Sequence, residues 1–435
     1  MHVDLRYGKG NLRLELDPGW DVTEIRKPEM PLLADPVAAV QAALAAPVGA
    51  RPLAEEARGA MSACILVCDI TRPVPNGLFL PLLVRQLMDA GIAADGITIL
   101  VATGLHRPNE GAELAELVGD PWVMQTVRVL NHFARNDADH VDLGATSRGT
   151  PVKLDRRFVE ADVRIATGLV EPHFMAGYSG GRKVIAPGVA HKDTITTFHS
   201  ARFMGHPRAA NCVLEGNPLH EEQLEIMAKL GHALALNTVI DEQRRLSFVN
   251  FGEVVQSHLL AVDFIRRYAV VPVARRFSTV VTSAAGYPLD KTYYQTVKGM
   301  VAPIDILAPG GDLLIVSECA EGMGSPEYVE AQRRLLGLGP DGFLADISAK
   351  RHADIDEWQT QMQLKPMHAG TVHLYSEALP ADAWGLTCVQ RMASVAEAIR
   401  ASVRRSGDAH IAVIPEGPYV VPAFQAARED AGWPS

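Results

Sequence analysis

The chain is punctuated by short, almost wholly apolar runs of β-forming residues, each followed by a stretch of helical periodicity. Cys64-Ile65-Leu66-Val67-Cys68, Ile97-Thr98-Ile99-Leu100-Val101, Val127-Arg128-Val129-Leu130 and Val163-Arg164-Ile165-Ala166 form a first set. Ser278-Thr279-Val280-Val281, Leu313-Leu314-Ile315-Val316, Thr371-Val372-His373-Leu374 and Ile411-Ala412-Val413-Ile414 form a second. A strand that is apolar on both sides has to be covered on both sides, so the pattern calls for parallel strands with helices packed on either face. The expected fold class is therefore α/β, with two α/β domains, largely parallel sheets and an active site in the interdomain cleft.

Residues 2–25 follow a different pattern. They alternate apolar and polar around Gly8-Lys9-Gly10 and again around Pro18-Gly19, which reads as short antiparallel strands joined by turns. A length of 435 residues suggests two or three domains, and two suffice for the two sets of runs. The division read from the sequence is an N-terminal domain over 1–272, a C-terminal domain over 273–410 and a tail, 411–435, closing on either domain. Residues 218–234 read as a helix and 260–272 as a bridge.

Charge narrows the class of partner. Lys and Arg number 41 against 51 Asp and Glu, a net of −10, which lacks the electrostatic footprint of a nucleic-acid or anionic-membrane binder. Small molecules are the expected partners. Five scattered cysteines without a CxxC pair argue against a disulfide framework and a thiolate zinc site. Met1-His2-Val3-Asp4 enters a patterned strand without the basic and apolar regions of an export signal, and no apolar run reaches the roughly 18 residues of a membrane span. The expected location is the cytoplasm.

In an open α/β sheet, ligands bind outside the carboxyl ends of the strands. Here those ends run into Asp69-Ile70-Thr71-Arg72-Pro73, Ala102-Thr103-Gly104-Leu105-His106-Arg107-Pro108 and Thr167-Gly168-Leu169-Val170-Glu171-Pro172-His173. Three loops of this kind either converge on one cleft or are plain Pro/Gly turns. After His173 comes a Gly-rich stretch, Gly177-Tyr178-Ser179-Gly180-Gly181-Arg182-Lys183. Glycines let backbone N–H groups approach an anion and the two cations neutralise it, so Gly180, Gly181 and Arg182 read as a phosphate cradle or else as a flexible turn. It is not a Walker A loop, because Val184 follows the lysine. Lys183 is either a covalent attachment point or a charge partner.

His106, His173 and His199 stand out by position, although a lone histidine is more often structural than catalytic or metal-binding. No HxH or HExxH spacing marks a metal site. In the second set, Gln295 and Lys298 of Tyr293-Tyr294-Gln295-Thr296-Val297-Lys298 are i,i+3 neighbours on a helix, suited to a carboxylate or simply to a solvated face. Glu318-Cys319-Ala320-Glu321-Gly322-Met323-Gly324-Ser325 ends another strand, facing the cleft or making a turn.

Taken in order, DITRPVP, ATGLHRP, EPHFMAGYSGGRK, TTFHS, YYQTVK and SECAEGMGS closely resemble the lactate racemase family, over about residues 60 to 360. The order and joint presence of these motifs carry the likeness. The resemblance implies a 2-hydroxy acid racemase or epimerase working by reversible hydride transfer to a covalently tethered nickel-pincer nucleotide (nickel pyridinium-3,5-bisthiocarboxylic acid mononucleotide). It implies Lys183 as tether, His199 as nickel ligand, and His106 and His173 as acid/base pair. Asp69, Thr71, Gly180, Gly181, Arg182 and Trp358 fall at cofactor-binding positions. Arg72, Tyr294, Gln295 and Lys298 fall at substrate-binding positions, while Asp69 either orients Arg72 or contacts the cofactor. Cofactor-biosynthesis proteins are then partners for loading. Two competing readings are a zinc-dependent lyase or hydrolase using the same histidines, and a non-catalytic cofactor carrier.

Overall fold

The computed structural model describes residues 1–425 and divides into two compact units. One is Glu29–Arg267, and the other joins Met1–Pro28 to the chain from Tyr268 onward. Within Glu29–Arg267 a six-stranded sheet has the order Leu246–Glu253, Leu234–Ile240, Val163–Leu169, Ala63–Cys68, Ile97–Ala102, Arg128–Asn131. All neighbours are parallel except the first pair. Ala63–Cys68 and Ile97–Ala102 are buried at every residue but the last, as their unbroken apolar sequences require.

Helix Asn76–Asp89 covers one face by turning Phe79, Leu80, Leu83, Val84 and Leu87 into the core with Ile65, Val67, Ile99 and Val101. These positions recur at the i, i+4 spacing of one helix face, and each buried side chain of this size contributes roughly 1.5–3 kcal/mol. The chain steps outward from Ala63–Cys68 through Ile97–Ala102 to Arg128–Asn131, then returns to the opposite flank at Val163–Leu169. The winding therefore reverses between Ala63–Cys68 and Val163–Leu169. A doubly wound sheet opens its ligand crevice beyond the carboxyl ends of the two strands at such a reversal.

The second unit holds six parallel strands in the order Gln390–Arg391, Gly370–Tyr375, Leu307–Val316, Phe277–Ser283, His410–Ile414, Asp21–Glu24. The α/β class with largely parallel sheets is thus borne out. The antiparallel hairpin His2–Tyr7 with Gly10–Glu15 turns at Gly8, whose φ of 51° suits glycine.

The division of the chain differs from the one read in the sequence. Residues 1–28 do not join the first α/β domain, because Val3, Leu5, Leu14 and Leu16 share a core with Val281, Leu314, Val316, Ile411 and Val413. Asp21–Glu24 makes no antiparallel pair after Pro18-Gly19 but extends the second sheet in parallel beside His410–Ile414. The tail from 411 is likewise part of this unit, with His410–Ile414 inside the sheet and Val421–Phe424 paired to Val270–Val273; residues 426–435 of that tail lie outside the described residues. The bridge read at 260–272 is the end of helix Val254–Ala269 followed by strand Val270–Val273. Among the described residues, no helix is long and apolar enough to cross a membrane.

Candidate active site

Strands Ala63–Cys68 and Ile97–Ala102 run in register to Cys68 opposite Ala102, so the residues that follow them emerge side by side. His106 Nδ1 lies 2.6 Å from Asp69 Oδ2. The other carboxylate oxygen accepts from the Thr71 backbone N–H at 3.1 Å and from the Thr71 hydroxyl. Burial pushes the Asp69 carboxyl up, but the charge and hydrogen bond of His106, the Thr71 hydroxyl and the Arg72 guanidinium outweigh it and hold the group at about 2. An ionised Asp69 makes His106 Nδ1 the protonated nitrogen, which leaves the lone pair of the neutral ring on Nε2.

Across the reversal of the sheet, Arg72 forms an ion pair with buried Glu171. Glu171 sits two residues beyond Val163–Leu169, and His173 follows at the end of the two-residue strand Pro172–His173, paired with Gly177–Tyr178. The turn between them carries the chain into the Gly-rich stretch, where Ser179 N–H donates to Glu171 O at 2.9 Å and Ser179 Oγ to Leu169 O at 2.7 Å. The helical turn Arg182–Ile185 presents Lys183. Burial, then the Arg72 and Arg182 charges, lower its amine to about 7, so near neutral pH a large share is the uncharged nucleophile.

His199 caps helix Lys192–Phe198 and donates from Nδ1 to Ile195 O at 2.9 Å. Burial lowers its ring to about 3, against the backbone bond that raises it, and the Lys183 charge lowers it further. A neutral imidazole protonated at Nδ1 presents its Nε2 lone pair, the donor a borderline metal takes. Among the described residues no group of three or more His, Cys, Asp or Glu side chains is arranged to hold a metal ion. A site formed by protein ligands alone needs three or four such donors.

The profile of the lactate racemase N-terminal domain matches residues 7–211 and that of the lactate racemase C-terminal domain matches 274–421. The lactate racemase of Lactiplantibacillus plantarum is 31% identical over 383 residues, covering 87% of this chain and 89% of that protein. The lactate racemase of Thermoanaerobacterium thermosaccharolyticum is 35% identical over 317 residues, covering 71% and 74%. The chain belongs to the lactate racemase family. That family is one of isomerases. The apoprotein structure of the T. thermosaccharolyticum lactate racemase superposes with a TM-score of 0.89 at 29% identity, over 97% of this chain and all of that one. A Thermotoga maritima protein shares the fold alone, with a TM-score of 0.63 at 16% identity over 86% of this chain and 96% of that one.

Several residues expected at ligand positions have other partners in this lactate racemase homologue. Arg182 was expected in an anion cradle, yet its side chain is fully buried, bonded to the His258 ring at 3.2 Å and to Ala176 O at 3.2 Å. Gly180 and Gly181 have φ of 78° and 49°, and a Cβ at either would stand 2.7 Å from Val170 or from the His258 ring. Close packing of the chain on itself thus accounts for both glycines. Asp69 pairs with His106, where the sequence left a choice between orienting Arg72 and contacting the cofactor.

In the second unit, helix Tyr293–Val301 follows Phe277–Ser283 and carries Tyr294, Gln295 and Lys298. Trp358 Nε1 donates to the Tyr294 hydroxyl at 3.3 Å, so these two ring systems meet. Gln295 Oε1 is buried without a hydrogen-bond partner among the described residues, an orphaned polar atom of the kind ligand sites carry. Glu171, Asn109 and His258 went unnoticed in the sequence. Asn109 Oδ1 accepts from Ile70 N–H at 3.3 Å and steadies the loop that bears Asp69. Glu171 was within reach of sequence reasoning, because it stands in a strand-end loop like that of its partner Arg72.

The loops of His106 and Lys183 are tied together where Gly104 N–H donates to Gly188 O at 2.8 Å. A Cβ at Gly188 would stand 2.0 Å from Val184 O. Gly188→Ala therefore forces the backbone apart, and the expected loss is about 1–3 kcal/mol, read as a lowered Tm in thermal denaturation.

Proposed function

We propose that this protein is a racemase or epimerase of a 2-hydroxy carboxylate, lactate in the first instance, working with a nickel-pincer nucleotide held by Lys183 and His199. The observation that carries the reading is the Asp69-oriented base at His106 in the same unit as a nucleophilic Lys183 and a neutral, buried His199. Family membership supports the substrate class, since both curated relatives are lactate racemases.

When bound, the cofactor supplies an acceptor for the C2 hydride and returns it, which makes a planar 2-keto acid accessible from either face. The work of the chain is to bind, orient and move protons. Each enantiomer presents its hydroxyl on a different side, so two imidazoles, His106 and His173, serve the two sides. Asp69 orients His106 and stabilises its imidazolium as the hydroxyl proton arrives at Nε2. Arg72, steadied by Glu171, offers its guanidinium to the substrate carboxylate. Thr71 enters through its two bonds to Asp69, and Trp358 braces Tyr294.

Proton NMR of the cofactor-loaded protein with each enantiomer of lactate in deuterated buffer tests the proposal. Interconversion with the C2 hydrogen retained is expected, and wholesale exchange of that hydrogen with solvent would refute the hydride route. His199→Ala is expected to lose bound nickel, measured as metal per chain, while the polypeptide stays folded. Protein from a host without the cofactor pathway is expected to be folded and inactive.

A further inference from the structure

The two imidazoles expected to act as equivalent proton shuttles are held in opposite states by their surroundings. At His106 the ring nitrogen next to the carboxylate is a donor, as shown above. At His173 the corresponding nitrogen is an acceptor: Nδ1 receives the backbone N–H of Ala176 at 3.2 Å and that of Met175 at 3.4 Å. A ring nitrogen that accepts carries no proton, so the neutral His173 ring holds its hydrogen on Nε2.

The amides that make this choice are themselves pinned from behind. A trans peptide points its C=O and N–H in opposite directions. Met175 O and Ala176 N–H belong to one such peptide, and Asn217 Nδ2 donates to Met175 O at 3.0 Å. Fixing that oxygen on one side therefore aims the Ala176 hydrogen at His173 on the other. Asn217 is fully buried and bound on all sides: the same Nδ2 donates to Val213 O at 2.9 Å, and Oδ1 caps helix Pro218–Leu230 by accepting from Leu219 N–H at 3.0 Å. Behind the next carbonyl, Arg182 donates to Ala176 O at 3.2 Å. Arg182 is in turn held by His258, whose Nε2 donates to Ser179 O at 2.8 Å and whose Nδ1 accepts from Arg182 Nη1 at 3.2 Å. Burial, then the Arg182 charge, lowers the His258 ring well below its ordinary value, so it stays neutral and able to accept.

We infer that Asn217, through the 175–176 peptide, and Arg182, through the 176–177 peptide that follows it, are positioning residues that lock His173 as the Nε2–H tautomer, so that the resting site holds a base at His106 and a hydrogen-bond donor at His173. In the resting site, with Nδ1 accepting from the amides, His173 gives a hydrogen bond through Nε2, and its turn in catalysis to take up a proton requires the other tautomer. It accepts one at Nε2 only when Nδ1 holds the hydrogen, which the two amides oppose. The inference rests on the proposed racemase reading for its catalytic meaning and on the hydrogen-bond geometry alone for the tautomers. It also accounts for a guanidinium closed inside the protein beside Lys183, a placement that an anion cradle leaves unexplained.

Nitrogen-15 imidazole correlation spectra of the full chain, prepared without cofactor and recorded above the titration of both rings, decide it. The expected result is a pyridine-type nitrogen at Nδ1 of His173 and at Nε2 of His106. A pyridine-type Nε2 at His173 overturns the inference. Asn217→Asp keeps the helix cap, since aspartate caps as well as asparagine, but removes the donor to Met175 O. It is expected to shift the His173 tautomer signal and leave that of His106 in place. Arg182→Lys serves as the second variant, with a smaller shift in the same direction, and an unchanged His173 signal in both variants refutes the positioning role. Loaded wild-type protein assayed alongside separates the two readings: the tautomers stand or fall in the spectra, whereas absence of racemisation counts against the proposed function alone.

Discussion

Replacing Lys183 by alanine is expected to abolish any covalent mass increment on protein made in a host that produces the nickel-pincer nucleotide. The same change is expected to reduce racemisation to background. The expectation comes from chemistry and not from charge. Burial and two neighbouring guanidinium groups lower this amine to about 7, which makes it a nucleophile at physiological pH and a poor structural cation. Lys183→Arg sharpens the test: it keeps a positive charge but removes the nucleophilic amine, and is expected to behave like the alanine variant. Intact mass spectrometry reads both. An adduct that persists at full occupancy in Lys183→Ala would place the attachment elsewhere.

The second large effect is expected at the Asp69–His106 pair. His106→Ala removes the base with the best-defined geometry in the site, and a positioned general base contributes about 10²–10⁴ in rate. The loss is expected in kcat, with nickel content and the Lys183 adduct unchanged, because His106 is assigned a proton-transfer role and is oriented by Asp69. Asp69→Asn leaves a side chain of the same size in place but removes the charge that selects the His106 tautomer, and a loss approaching that of His106→Ala is expected.

The pair also has a pH signature. A carboxyl whose folded value lies below its unfolded one, near 3.9, contributes stability above that value and loses it as pH falls toward about 2. Acid unfolding of wild type and Asp69→Asn is thus expected to converge only as the pH falls to about 2. Divergence that grows as the pH falls would contradict the ion pair.

Much of the architecture is written in local pattern. The doubly apolar runs at 64–68, 97–101 and 163–166 became the central parallel strands Ala63–Cys68, Ile97–Ala102 and Val163–Leu169, because burial on both faces leaves a strand few other environments. The alternation of 2–7 and 10–15 became a hairpin for the same reason in its half-buried form. Histidines 106 and 173 could be singled out because they stand just beyond predicted strand ends, where open sheets bind ligands.

Pairing across the chain left no such trace. Asp69 and His106 are 37 residues apart, and Arg72 and Glu171 are 99 apart. Nothing in either stretch names its partner, because the contact depends on which strands lie adjacent and where the winding of the sheet reverses. The same holds for residues 1–28, whose alternation specifies a hairpin but not the core that receives it. Arg182 is the clearest case. A cation after two glycines has the sequence of an anion site, yet the backbone turn carries its side chain inward to His258 and Ala176. Side-chain periodicity and propensity act over a few residues and are legible in order along the chain. Direction, burial and hydrogen-bond partnership between distant segments arise only when the sheet closes its topology, and it is those that set the proton state of each imidazole.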